Sequence, residues 1–178
     1  MSDGASPVAD GRLIRIVDGA PRVVADDWIV LPAGAQWEDP AGAPRRLLPL
    51  ALAKSHAARL AGVRPVGLWL APDQDPADAV ELFDRIDIIA VNFPSFTDGR
   101  GYSTAALLRT RHGWRGELRA IGDVLQDQLF YLRRVGFDAF ALRADRDPHK
   151  ALKAFSTFSD SYQSAVVPDL PRFRRVEA

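Results

Sequence analysis

The sequence predicts an α/β domain in which about four consecutive strand–helix units form a parallel sheet, half-barrel-like or open, with a β-hairpin segment ahead of them. Three observations predict it. Short apolar runs such as Val66–Leu70 and Ile88–Phe93 show no polar alternation, as strands covered on both faces require. Each run is followed by a stretch with helical spacing of apolar residues. The links between them are short, which suits right-handed crossovers between parallel strands.

The elements follow in chain order. Residues 1–10 are small and polar and read as a disordered start. Leu13–Val17 and Arg22–Val24 flank Asp18-Gly19, the pattern of a hairpin. Trp28–Leu31 reads as a further short strand. Residues 32–46 hold three prolines and two glycines and read as a loop. From Pro49, residues Leu50, Ala53, Ala57 and Leu60 mark a helix that stops at Gly62. Val66–Leu70 is a strand. Asp75-Pro76 is an N-cap with a first-turn proline, opening a helix through Val80, Phe83 and Ile86. Asp87–Phe93 is the next strand. Ser103 reads as the cap of a helix carrying Leu107 and Leu108 and ending at Gly113. Glu117–Ile121 is a strand, and Leu125, Leu129 and Leu132 mark a helix that stops at Gly136. Asp138–Leu142 is the last strand, and Asp147-Pro148 opens a helix with Leu152, Phe155, Phe158 and Tyr162 inward. Residues 11–165 thus read as a single domain, and residues 166–178, with the basic run Arg172-Phe173-Arg174-Arg175, as a loose tail. The pattern does not separate a half-barrel from a doubly wound sheet. A half-barrel-like sheet has exposed edges, which proteins pair or cover, so a homodimer is expected.

Composition narrows the function. The 178-residue chain is 47% apolar, enough for a core without staples, and has no cysteine. Disulfides, thiolate metal sites and thiol nucleophiles are therefore excluded. Lys plus Arg and Asp plus Glu number 23 each, a balance that argues against a general nucleic-acid or anionic-membrane binder. No apolar stretch approaches the ~18 residues of a spanning helix, and residues 1–11 lack the apolar core of a signal peptide. A cytoplasmic protein is expected.

In parallel α/β folds ligands bind at the carboxyl ends of the strands. Four loops lie there: Ala71–Gln74, Pro94–Tyr102, Gly122–Val124 and Arg143–Arg146. The longest carries Asp98-Gly99-Arg100-Gly101-Tyr102-Ser103 and leads into a helix N-terminus. Two glycines allow unusual dihedrals and close approach. The helix amides and the Arg100 guanidinium suit an anion. The plainer alternative is a turn in which Asp98 pairs with Arg100 and Ser103 only caps. Neither a phosphate-binding loop ending in Gly-Lys-Ser/Thr nor a dinucleotide fingerprint is present. Asp123 follows the third of the four strands directly, as an N-cap or as a general base, and Gln126 lies on the helix behind it. Asp98 and Asp123 are the candidate acid/base residues, and Gly99, Arg100, Gly101, Tyr102, Ser103 and Gln126 the candidate ligand-binding residues. Two carboxylates are too few to predict a metal. His56, His112 and His149 have no ligand or triad partner at suitable spacing. Trp69 reads as core, and Trp37 as the cover of a pocket or an interface.

Three long segments carry a resemblance. They are Asn92-Phe93-Pro94-Ser95-Phe96-Thr97-Asp98-Gly99-Arg100-Gly101-Tyr102-Ser103, Gly116-Glu117-Leu118-Arg119-Ala120-Ile121-Gly122-Asp123-Val124-Leu125-Gln126-Asp127-Gln128, and Tyr131-Leu132-Arg133-Arg134-Val135-Gly136-Phe137-Asp138. Together they resemble bacterial domain-of-unknown-function family 934, with similarity running from the hairpin to the last helix. Members are typically encoded beside sulfite reductase and sulfate-assimilation genes, and are often labelled oxidoreductases of sulfite reduction. The resemblance implies a pathway and supplies no catalytic residues. Redox chemistry would need a bound cofactor, which no motif identifies. Three expectations follow. The first is an accessory protein that binds a small oxyanion-containing ligand or a pathway enzyme at the strand ends. The second is an enzyme using Asp123 or Asp98 with Arg100 as anion anchor. The third is an interaction module that meets sulfite reductase through Arg133, Arg134 and the Trp37 loop.

Overall fold

The computed structural model describes residues 11–37 and 45–155. The expected disordered start, the loose tail, and the inward positions of Phe158 and Tyr162 lie outside these residues. Eight strands form one sheet: β1 (Arg12–Val17), β2 (Ala20–Ala25), β3 (Ile29–Val30), β4 (Arg46–Pro49), β5 (Val66–Leu70), β6 (Ile88–Phe93), β7 (Glu117–Gly122) and β8 (Ala139–Phe140). Their order is β2-β1-β8-β7-β6-β5-β4-β3. From β3 to β8 all neighbours are parallel, whereas the β1–β2 hairpin joins β8 antiparallel. The sheet is therefore mixed, which corrects the purely parallel expectation. A hairpin must bring one of its strands back antiparallel, and β1 carries that direction into the sheet.

The parallel strands run in sequence order with no reversal. A doubly wound sheet needs a reversal, so that alternative is excluded. Repeated right-handed crossovers in one direction put every helix on the same face. The sheet also curls. Flat, eight strands at about 4.8 Å spacing would hold the edges roughly 34 Å apart. Yet only residues 26–28 join edge strand β2 to edge strand β3, and they span at most about 14 Å.

Helices α1 (Leu50–Ser55), α2 (Ala57–Leu60), α3 (Arg100–Thr110), α4 (Leu129–Arg134) and α5 (Pro148–Ala151) pack on the outer face. A 3-10 helix, Pro76–Leu82, replaces the α-helix expected after Asp75-Pro76, whose carboxylate caps Ala77 at 2.9 Å. The outer core joins Leu68, Ile89, Val91, Leu118 and Phe140 of the sheet to Leu50, Leu82, Leu108 and Leu132 of the helices. Leu107 is 37% exposed, whereas its neighbour Leu108 is buried. Adjacent helix positions diverge by about 100°, so only one of the pair can face the sheet. Strand β4 was hidden in the sequence by its flanking arginines and prolines. It provides Leu47 and Leu48 to opposite faces of the sheet.

The inner face has its own small core of Trp28, Leu47, Ile88, Ala90, Ile121 and Ala141. Trp69 lies beside it, half-buried, its indole N–H donating to the Leu31 carbonyl at 2.9 Å. In the middle of this face lies Arg119, only 1% exposed. It is level with Ala90 on one side and Ala139 on the other, and these small residues leave room for its side chain. Arg119 Nη1 donates to Asp26 Oδ1 at 2.8 Å and Nε to Glu117 Oε1 at 2.8 Å. Glu117 Oε2 also pairs with Arg15 Nη2 at 2.9 Å. The Trp28 ring lies 5.8 Å from the Arg119 guanidinium carbon. The segment that bridges the sheet edges is thus fixed from inside by two charges and an indole.

Candidate functional site

The four expected loops lie at the carboxyl end of the parallel strands, and three of them interlock. Strand β6 ends at Phe93, and the following loop reaches Gly99 before α3 begins at Arg100. Asp98 shapes this turn. Its Oδ1 accepts the Arg100 backbone N–H at 3.1 Å and Arg100 Nε at 3.0 Å, and its Oδ2 accepts Arg100 Nη2 at 2.6 Å. The Asp98 carboxylate therefore occupies the helix entry, and α3 starts earlier than the expected Ser103 cap. Ser103 is exposed inside the helix.

The glycines also take other roles than expected. Neither Gly99 nor Gly101 has a positive φ. Gly101 is buried on the Phe93 ring, where an added Cβ would lie 2.5 Å from Phe93 Cζ. The glycine at the strand ends with an unusual backbone is Gly122, at φ 93°. It allows the backbone to pass under Asn92 and the Phe93 carbonyl, which a Cβ would meet. The Asp123 amide then donates to the Phe93 carbonyl at 2.7 Å.

Asp123 is the hub. It is not an N-cap, because the next helical turn opens at Gln126 with Leu125 ahead of it. Instead its Oδ2 accepts the Phe96 backbone N–H at 3.0 Å, and its Oδ1 accepts Arg143 Nη1 at 3.0 Å. One carboxylate thus ties the loops after β6, β7 and β8. Gln128 completes the tie: its Nε2 donates to the Phe96 carbonyl at 3.0 Å, and its Oε1 accepts the Leu125 N–H at 2.9 Å. The helix position that reaches the site is thus Gln128. Gln126 is exposed. Helical spacing does not signal this, since Gln126 stands three residues before buried Leu129, the same-face spacing, and Gln128 only one.

Charge on this rim is matched internally. The Arg100 hydrogen bonds hold the Asp98 carboxyl below the usual carboxylate range, and Asp98 in turn holds Arg100 above its ordinary value. Arg143 is held up chiefly by Asp145, which accepts its Nε at 2.6 Å and Nη2 at 2.9 Å, and then by Asp123. Tyr102 lies edge-on to Phe93 with ring centroids 5.6 Å apart, and burial raises its pKa against a hydrogen bond with Gln128. Asp98 and Asp123 have separate partners. Among the described residues no three His, Asp or Glu side chains gather as metal ligands.

The other singled-out residues make internal contacts. Trp37 stacks on His56 with centroids 4.7 Å apart. Arg133 Nη2 donates to the Gly19 carbonyl at 2.8 Å, holding the hairpin turn. Arg134 lies over the Phe130 ring at 5.8 Å. His149 Nε2 lies 3.4 Å from Arg12 Nη1. No helix among the described residues is long and apolar enough to cross a membrane.

Residues 67–173 match the sequence model of a family described as a bacterial protein of unknown function, DUF934. The match starts within β5 and includes the whole strand-end rim, but not the hairpin. No curated protein matches the chain.

Proposed function

This chain belongs to the bacterial protein family of unknown function DUF934, and from that premise we propose that it is an accessory protein of assimilatory sulfate or sulfite reduction, binding a pathway enzyme through its strand-end rim. The family resemblance supplies the pathway. The single observation that carries the binding role is the Asp123 tie, which fixes three loops into one surface at the end of the sheet where parallel α/β proteins bind. Preorganised loops lower the ordering cost of association.

Catalysis by the same residues fits less well. A general acid or base must reach the proton it moves, whereas both Asp123 oxygens and both Asp98 oxygens already accept hydrogen bonds from the chain itself. A free oxyanion at Arg100 would have to displace a bidentate carboxylate, among the stronger side-chain pairs.

The test is growth of a deletion strain on defined sulfur sources. Loss of the gene is expected to slow growth on sulfate and on sulfite, and to leave growth on sulfide unchanged. Equal growth of deletion and parent on all three would contradict the assignment.

A further inference from the structure

We propose that the inner face of the sheet holds a buried water molecule beside Ala139, bound by the charge cluster of Arg15, Arg119, Asp26 and Glu117. Ala139 on β8 stands between Arg15 on β1 and Arg119 on β7, level with both. At about 4.8 Å per strand the two arginine backbones lie about 10 Å apart, with one methyl side chain between them. Glu117 spans that interval. Its Oε1 accepts Arg119 Nε at 2.8 Å, and its Oε2 pairs with Arg15 Nη2 at 2.9 Å. Asp26 Oδ1 is also filled, by Arg119 Nη1 at 2.8 Å and by the Trp28 backbone N–H at 3.2 Å. Three polar atoms of the cluster are left over: Arg15 Nε, Arg119 Nη2 and Asp26 Oδ2. All three are buried, and none has a hydrogen-bond partner among the described residues. Arg119 Nη2 stands 2.7 Å from Glu117 Oε1 but is not aligned to donate to it.

Charge and donor count select the occupant. Buried polar groups are nearly always hydrogen-bonded, to protein or to ordered water. The cluster holds two guanidiniums and two carboxylates, so it is neutral as a whole. An anion at the two left-over N–H groups would meet the Asp26 carboxylate. A cation at Asp26 Oδ2 would meet two guanidiniums. A neutral molecule that both accepts and donates meets neither repulsion. Water accepts from two N–H groups and donates to one carboxylate oxygen, which matches the atoms left over. Arg119 and Asp26 are each 1% exposed and Trp28 lies over the guanidinium, so the molecule is small and enclosed. A bridging water is nearly as favourable as a direct hydrogen bond, and buried waters of this kind are integral to a fold. Here it joins β1, β7 and the 26–28 bridge, the parts that must meet for the sheet to curl.

The experiment is a crystal structure of the full chain, with and without inorganic sulfite. It is paired with magnetic relaxation dispersion of water in solution, on the parent and on Asp26→Leu/Arg119→Met. The parent map is expected to show an ordered water within hydrogen-bond distance of Asp26 Oδ2 and of Arg15 Nε or Arg119 Nη2, unchanged by sulfite. In solution the double variant is expected to lose one long-lived water relative to the parent. A parent map that orders other core waters but has no density here overturns the site. So does a rotated guanidinium that pairs with both Asp26 oxygens directly. A sulfite-dependent peak at this position overturns the neutral occupant, since the cluster would then take an anion. Equal numbers of long-lived waters in folded parent and folded variant overturn the cluster as what holds it. If the double variant does not fold, the parent map decides alone: the bridging water supports the site, and empty density rejects it.

Discussion

Arg119→Met is expected to lower the free energy of unfolding by about 3–5 kcal/mol, the range found when one member of a buried ion pair is removed. The cluster on the inner face holds two arginines and two carboxylates: Arg15, Arg119, Asp26 and Glu117. Removing Arg119 leaves the Asp26 carboxylate, whose side chain is 1% exposed, without its cation. Asp26 Oδ2 already has no hydrogen-bond partner among the described residues, and the Trp28 backbone N–H, donating to Oδ1 at 3.2 Å, carries no charge to replace the guanidinium. The double variant Asp26→Leu/Arg119→Met removes one charge of each sign and is expected to recover most of the loss, as apolar replacement of whole buried pairs often does. Urea unfolding reads both, as a fall in midpoint at constant slope. A single-variant loss below about 1 kcal/mol would mean that the cluster does not hold the β2–β3 bridge as described.

Phe93→Ala is expected to cost a similar ~3–5 kcal/mol, the usual range for emptying a buried phenylalanine site. Phe93 is 1% exposed and contacts Tyr102, Phe137 and the Cβ-free face of Gly101. It also supports the rim from below: its carbonyl accepts the Asp123 amide. The substitution should therefore lower stability and, at temperatures where the variant is folded, also weaken partner binding. A Phe93→Ala loss under about 1.5 kcal/mol would contradict this packing, because the site could then collapse around the missing ring.

Much of this architecture could be read from residues alone, and for a physical reason. Strands β5 and β6 are unbroken apolar runs because both faces of a curled, covered sheet are buried. The Asp98–Arg100 pairing was readable because the partners stand two residues apart. Other parts depend on distant neighbours. Arg119, between Leu118 and Ala120, looks like a solvent-facing strand residue. Its partner Asp26 lies 93 positions away and meets it only because the sheet curls. Strand β4 is four residues long and ends in Pro49, so local propensity hides it and tertiary pairing makes it. At the rim, Asp123 has the sequence pattern of an N-cap. Only the fold brings Phe96 and Arg143 within reach of its carboxylate.

The measurement that bears most directly on the rim as a binding face is hydrogen–deuterium exchange of the full chain, alone and with purified sulfite reductase. Protection on complex formation is expected in residues 94–104 and 123–128, and in the loop at 143–146. Protection confined to the outer helices, or none in these three segments at saturating partner, would contradict the assignment of the strand-end rim as the functional surface.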